Sequence, residues 1–198
     1  MNLQRSPARA PATYQDVLDA PPTMVAQIIR GALHLHPRPA SPHARAGSVL
    51  GGKIGGPFDF NDDGPGGWWI VFEPELHLGE EVVVPDLAGW RRERMPRFPR
   101  VAYFTQPPDW VCEILSPSTR ALDLGPKREI YREHGVGHLW LVDPDARTLE
   151  VFTQHPDGWL LLHTLAGDAE VREPPFGAVG FPLGALWPDD ETAAESDR

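Results

Sequence analysis

Three consecutive apolar runs each hold a carboxylate near their middle. WWIVFEPELHL (68–78), EVVVPDLAGW (81–90) and DWVCEIL (109–115) have the aromatic and β-branched content of strands. They carry Glu73, Asp86 and Glu113. Strand side chains alternate faces, so Glu113 shares a face with Val111 and Leu115, while Trp110, Cys112 and Ile114 point the other way. By the same parity Asp86 lies with Val82, Val84 and Ala88, and Glu73 with Trp69, Val71 and Glu75. A buried carboxylate is costly unless it is paired or bound to a metal. An edge position or a salt bridge accounts for any one of the three. Three in succession, on strands about 4.8 Å apart, constrain the fold more tightly, because acids on adjacent strands can share one cation.

The rest of the chain supplies the frame. TYQDVLDA (13–20) reads as a short helix capped by Thr13 and ended by Pro21-Pro22. MVAQIIRGALHLH (24–36) reads as two short strands around Gly31, and SPHARAGSVLGGKIGGPF (41–58) as a helix weakened by its glycines. NDDGPGG (61–67) is a loop. A helix is expected over 126–134, with Pro126 at its first position and Gly135 past its end. GHLWLVD (137–143) and TLEVFTQ (148–154) form a hairpin, and GWLLLHTL (158–165) adds a strand. With no internal repeat, this is one α+β domain, strand-rich at its centre.

Composition narrows the class. The 198 residues fit one self-sufficient core. One cysteine, Cys112, excludes a disulfide framework and a multi-cysteine zinc site. The start lacks the apolar segment of a signal peptide, and no apolar run approaches the ~20 residues of a membrane span, so a cytoplasmic protein is expected. The net charge of −10 argues against a general nucleic-acid coat. The last ten residues carry five acids and one arginine, and the tail 188–198 is expected to be disordered. RRERMPRFPR (91–100) reverses the sign with five arginines and one glutamate. It reads either as a solvated loop or as a phosphate-contacting one.

Lys127 follows Glu113 in the expected helix, with Ile130 and Tyr131 three and four residues on. Those two mark the apolar face, so Lys127 points toward the sheet. A snorkelling lysine, its stem packed and its head in water, fits the same spacing. Asp109 competes with Asp86 as the partner of Glu113. It lies four positions along one strand, ~13 Å away, and is expected to cap the strand entrance instead. His34, His36, His43, His134 and His138 show no zinc spacing and read as scattered surface histidines. Trp68, Trp69, Trp110, Trp140 and Trp159 lie in strand-like runs and read as core.

Taken in order, "GGWWIVFEPELHL", "VPDLAGW", "PDWVCEILSPSTR", Lys127 with Tyr131, "GVGHLWLVDP" and "TLEVF" resemble the Uma-type putative restriction endonucleases of bacteria, within the PD-(D/E)xK nuclease superfamily. The resemblance covers 13–187, with 1–12 as an N-terminal extension. It implies a restriction-endonuclease-like fold, a central mixed or antiparallel sheet flanked by helices. It also implies a Mg²⁺-dependent (or Mn²⁺-dependent) endonuclease that hydrolyses DNA phosphodiesters, and it fits a homodimer. By the family pattern Asp86 is the acid of the PD motif, Glu113 the (D/E) and Lys127 the lysine. Asp86 and Glu113 hold metal, with the Ile114 backbone carbonyl a further ligand and Glu73 an added acid near the ion. Tyr131 is auxiliary, and Arg91, Arg92 and Arg94 are placed to grip the DNA backbone.

Two positions depart from that pattern. Leu115 stands where the superfamily lysine usually falls, which in this family is moved to the following helix. Gln27 stands where relatives tend to carry an acid. Gln27 and the acidic body favour a catalytically silent binding or assembly module; the intact Asp86, Glu113 and Lys127 favour the nuclease. A non-nuclease metal hydrolase is a third, weaker reading. No recognition domain is evident, so sequence-specific restriction is not expected.

Overall fold

The computed structural model describes residues 10–37 and 40–188. Residues 1–9 of the expected extension and the acidic tail from 189 onward lie outside the described residues. The chain opens with α1 (Tyr14–Leu18), where the amide and hydroxyl of Thr13 both donate to Asp16, at 2.7 and 2.8 Å. There follow β1 (Met24–Ile29), β2 (Ala32–Pro37), α2 (Ser41–Phe58), β3 (Trp68–Phe72), β4 (Leu76–Leu78), β5 (Glu81–Val83), β6 (Leu87–Arg91) and β7 (Trp110–Ile114). A crossover of α3 (Arg120–Leu122), a π-helical turn (Asp123–Lys127) and α4 (Arg128–Glu133) leads to β8 (His138–Asp143). Next are β9 (Thr148–His155), β10 (Gly158–Ala166), β11 (Glu170–Val171), β12 (Phe181–Pro182) and a closing 3₁₀ turn. No helix among the described residues is long and apolar enough to cross a membrane.

Two sheets carry the architecture, a six-stranded one in the order β10-β9-β8-β7-β6-β3 and a four-stranded one in the order β2-β1-β5-β4. A small β11-β12 pair stands apart. Within the large sheet β7 and β8 are parallel and every other pair is antiparallel. A parallel pair requires a crossover, and this one delivers Lys127 and Tyr131 over the sheet. One face buries Trp110, Cys112 and Ile114 against Ala46, Leu50, Ile54 and Phe58 of α2, a stripe spaced by one helical turn. The other buries Val111, Leu139 and Leu141 against Ile130 and Tyr131. Glu113 points to this second face, as its parity requires. The Arg30 guanidinium, at the β1–β2 turn, bonds both oxygens of Glu133 at 2.8 Å and so ties the small sheet to α4.

Three expectations are corrected. The runs 68–78 and 81–90 are not single strands. Each breaks and its halves join different sheets, β3 and β6 the large one, β4 and β5 the small one. Pro74 and Pro85 stand in the breaks, where a missing donor interrupts a ladder, and Glu73 adopts φ +42°. Glu73 and Asp86 therefore sit at a shared corner, joined by a backbone bond from the Glu73 amide to the Asp86 carbonyl at 3.0 Å, and the parity assigned to them does not apply. The third correction is the helix. It starts at Arg120 and passes through non-helical Gly125 (φ −110°, ψ −108°), so Pro126 lies inside a kink and not at a helix N-terminus.

Candidate active site

The corner between the sheets, the end of β7 and the crossover enclose a cavity of about 240 Å³. Its lining includes Glu73, Asp86, Glu113, Asp123 and Lys127. Four carboxylates therefore face one ammonium. Glu113, Asp123 and Lys127 are each only 2% exposed. The Lys127 Nζ lies 2.8 Å from Glu113 Oε1 and 3.1 Å from Asp123 Oδ1, and donates to the Val84 carbonyl at 3.3 Å. The snorkelling alternative is thereby set aside, because the ammonium is buried and fully bonded. The Tyr131 hydroxyl donates to the same Glu113 Oε1. Lys127 and Tyr131 thus converge on one oxygen of Glu113.

Burial dominates the titration of this set. It pushes the Glu113 carboxyl up to about 8, against the pull of the Lys127 ammonium, while Asp123 and Asp86 add like charge. Burial alone would lower Lys127, but Glu113 and Asp123 overcome it and hold the ammonium above its ordinary value. Burial and the neighbouring Glu113 charge keep the Tyr131 phenol well above its own, so it remains a neutral donor.

Asp86 is held separately. Its Oδ2 accepts from the Ile114 amide at 2.6 Å and its Oδ1 from His43 Nε2 at 2.7 Å. His43 stands in the first turn of α2, so that helix reaches across the corner to orient the carboxylate. At Ile114 it is thus the amide that contacts this acid. Gln27, 1% exposed, is a brace: its amide oxygen accepts from the Val84 amide and its nitrogen donates to His36 Nε2, both at 2.8 Å. Burial keeps His36 below the ordinary histidine value, which suits an acceptor. Gln27 fixes the backbone whose carbonyl receives Lys127 and does not itself line the cavity.

Other sequence candidates fall elsewhere. Arg91, Arg92 and Arg94 lie at the far end of β6 from Asp86. Arg92 bonds Asp59 at 2.8 Å and stacks 3.6 Å over Trp69; Arg94 bonds Asp109 at 2.7 Å; the Arg91 amide donates to Asp109 and its guanidinium lies over Trp68. Asp109 thus ties the entrance of β7 to the arginine loop. Trp110 and Trp140 are buried in edge contact at 5.6 Å, core as expected. Sequence reasoning missed Asp123, and its reading of His43 as a surface histidine is corrected: the side chain is 12% exposed and is bonded to Asp86 in the cavity. The first stands four residues before Lys127, a spacing that signals an ion pair once Gly125-Pro126 is not taken as a break. Nothing local marks the second.

Among the described residues no three His, Cys, Asp or Glu side chains are already arranged around a metal position. The donor chemistry still fits Mg²⁺, which takes one or two carboxylates and keeps waters for its other positions. Asp86 and Glu113 line one cavity, and its carboxylates outnumber its one lysine, an imbalance that a dication would offset.

A family model, "Uma2: Putative restriction endonuclease", matches residues 11–184. Among solved structures, the crystal structure of a putative nuclease belonging to DUF820 from Anabaena variabilis superposes with a TM-score of 0.69 at 24% identity. The match covers 89% of this chain and 97% of that one, and the likeness extends to the fold. No curated protein matches.

Proposed function

The chain belongs to the Uma2 family of putative restriction endonucleases, and from that premise we propose that it is a metal-dependent endonuclease hydrolysing DNA phosphodiesters at the Asp86–Glu113–Lys127 cavity. The observation that carries the reading is the buried Lys127 ammonium on Glu113 in the same cavity as Asp86. Asp86 and Glu113 would hold Mg²⁺ or Mn²⁺, with the Ile114 carbonyl and Glu73 as further oxygen donors. Such an ion, when bound, polarises the phosphoryl oxygen and lowers the pKa of a coordinated water.

The protein's own groups do the rest. His43 and the Ile114 amide hold both Asp86 oxygens in one orientation. Lys127, titrating above its ordinary value, stays protonated and acts as a fixed positive charge beside the transferring phosphoryl group, not as a base. Tyr131 keeps Glu113 aligned by donating to Oε1.

Nicking of supercoiled plasmid with Mg²⁺ or Mn²⁺ tests the reading. Wild type is expected to cut and Glu113→Ala to fall to background; equal cutting by both would contradict it. A second reading, a nuclease fold that binds without turnover, is favoured by one observation: Glu113 is already engaged by Lys127 and Tyr131. A homodimer has a candidate surface in β10, a nine-residue edge strand with Leu160 and Leu161 half exposed.

A further inference from the structure

Resting on that reading of the site, we infer that His36 is a further substrate-contacting residue, a neutral imidazole whose Nδ1–H donates to the phosphodiester, and that Gln27 positions it by fixing its tautomer. The polarity of two hydrogen bonds sets the proton. The Val84 amide can only donate, so the Gln27 atom it meets at 2.8 Å is the oxygen, Oε1. The other end of the Gln27 amide is then Nε2, which can only donate, and it lies 2.8 Å from His36 Nε2. His36 Nε2 therefore accepts and carries no proton, and the proton of the ring is on Nδ1. An imidazolium would set two donors face to face, one of them on a Gln27 that is 1% exposed. Burial acts in the same direction on His36, helped by the Lys127 charge and opposed by the Pro37 carbonyl, Asp123 and Asp86.

His36 and Pro37 line the cavity, and Gln27 does not. With Nε2 committed to a residue outside the lining, Nδ1 is the ring nitrogen left for a ligand. Among the described residues its acceptor is the Pro37 carbonyl at 3.4 Å, beyond the usual length of such a bond. An anionic phosphoryl oxygen is a stronger acceptor and makes a shorter bond. Neutrality suits the place. A charged ring would add a cation to a cavity proposed to hold a dication at Asp86 and Glu113, whereas a neutral N–H meets the substrate oxygen without opposing the metal.

Long-range ¹H–¹⁵N correlation spectra of the imidazole rings in the intact chain read the tautomer directly, with His36 assigned by its loss in His36→Phe. The wild type is expected to show the Nδ1–H form and to keep it from about pH 8 down to about pH 5. Gln27→Glu keeps the acceptor for the Val84 amide but turns a second acceptor toward His36. Its His36 should take a proton on Nε2 and become an imidazolium within that range, a change that loosened packing alone does not produce. Thymidine dinucleotide added with Mg²⁺ should shift the His36 Nδ1 signal of the wild type, and its analogue with an uncharged methylphosphonate linkage should not. His36→Phe should weaken dinucleotide binding at least about tenfold, as expected for one lost hydrogen bond to a charged group, and His36→Asn should recover part of it. An Nε2–H tautomer in the wild type, a His36 that titrates near the ordinary histidine value, or an Nδ1 signal unmoved by the phosphodiester would overturn the inference. A shifted Nδ1 signal in a protein that cuts no plasmid would uphold it while sinking the hydrolytic reading.

Discussion

At Glu113 the needs of stability and of chemistry oppose each other. Its folded pKa of about 8 lies above the ordinary carboxyl value of 4.5, so between those limits the folded state holds a proton that the unfolded state has lost. Stability therefore falls as pH rises through that window, and the full penalty is present above it. Glu113→Gln removes the buried charge while Asp123 still pairs Lys127. The variant is expected to be inactive, and its Tm relative to wild type to rise between pH 4.5 and pH 8.5, because only the wild type acquires the buried charge over that range. Scanning calorimetry at both pH values checks this. His43 calls for a different test. His43→Ala frees one Asp86 oxygen and should weaken Mn²⁺ binding by about 10–100-fold in calorimetric titration, with His43→Asn recovering part of the loss. Equal affinity in all three proteins would show that the hydrogen bond does not organise the site.

At the scale of elements, the crossover from β7 to β8 matters most, because it buries a lysine among acids. Lys127→Met leaves Glu113 and Asp123 uncompensated and should cost about 3–5 kcal/mol in urea unfolding. Adding Asp123→Asn should recover much of that, a coupling absent if the two side chains act independently. How these elements were legible follows from their packing. β7 lies between β6 and β8 with both faces covered, so its sequence is a continuous apolar run without a break, and parity counted along it assigns Glu113 to the correct face. The strands around Glu73 and Asp86 mislead because their apolar runs continue through Pro74 and Pro85, while the pairing partners change sheet at those points. Nothing within ten residues records which sheet a strand joins. The helix was misplaced for the converse reason: Gly125-Pro126 has the look of a boundary, but the chain turns through it in a π-helical bend. His43 reaches Asp86 only through the packing of α2, a relation 43 positions apart in sequence.

For the whole molecule, the −10 net charge and the acid-lined cavity place the proposed metal at the centre of any encounter with a phosphodiester. Since Glu113 must lose its proton to bind a cation, divalent affinity should increase as pH rises toward about 8 and level off above it. Assembly is tested separately. β10 has no Lys, Glu or Pro to discourage pairing, so the chain is expected to sediment as a dimer at micromolar concentration and Leu161→Lys as a monomer of unchanged Tm. The central claim is that Asp86 and Glu113, from a sheet corner and an interior strand, grasp one dication beneath Lys127. Anomalous diffraction from a crystal soaked in Mn²⁺ tests it most directly. The account predicts a peak within about 2.0–2.4 Å of an oxygen from each of the two carboxylates. A protein that cuts DNA with Mn²⁺ while its peak lies elsewhere, or while Glu113 stays turned onto Lys127 and off the metal, would contradict it.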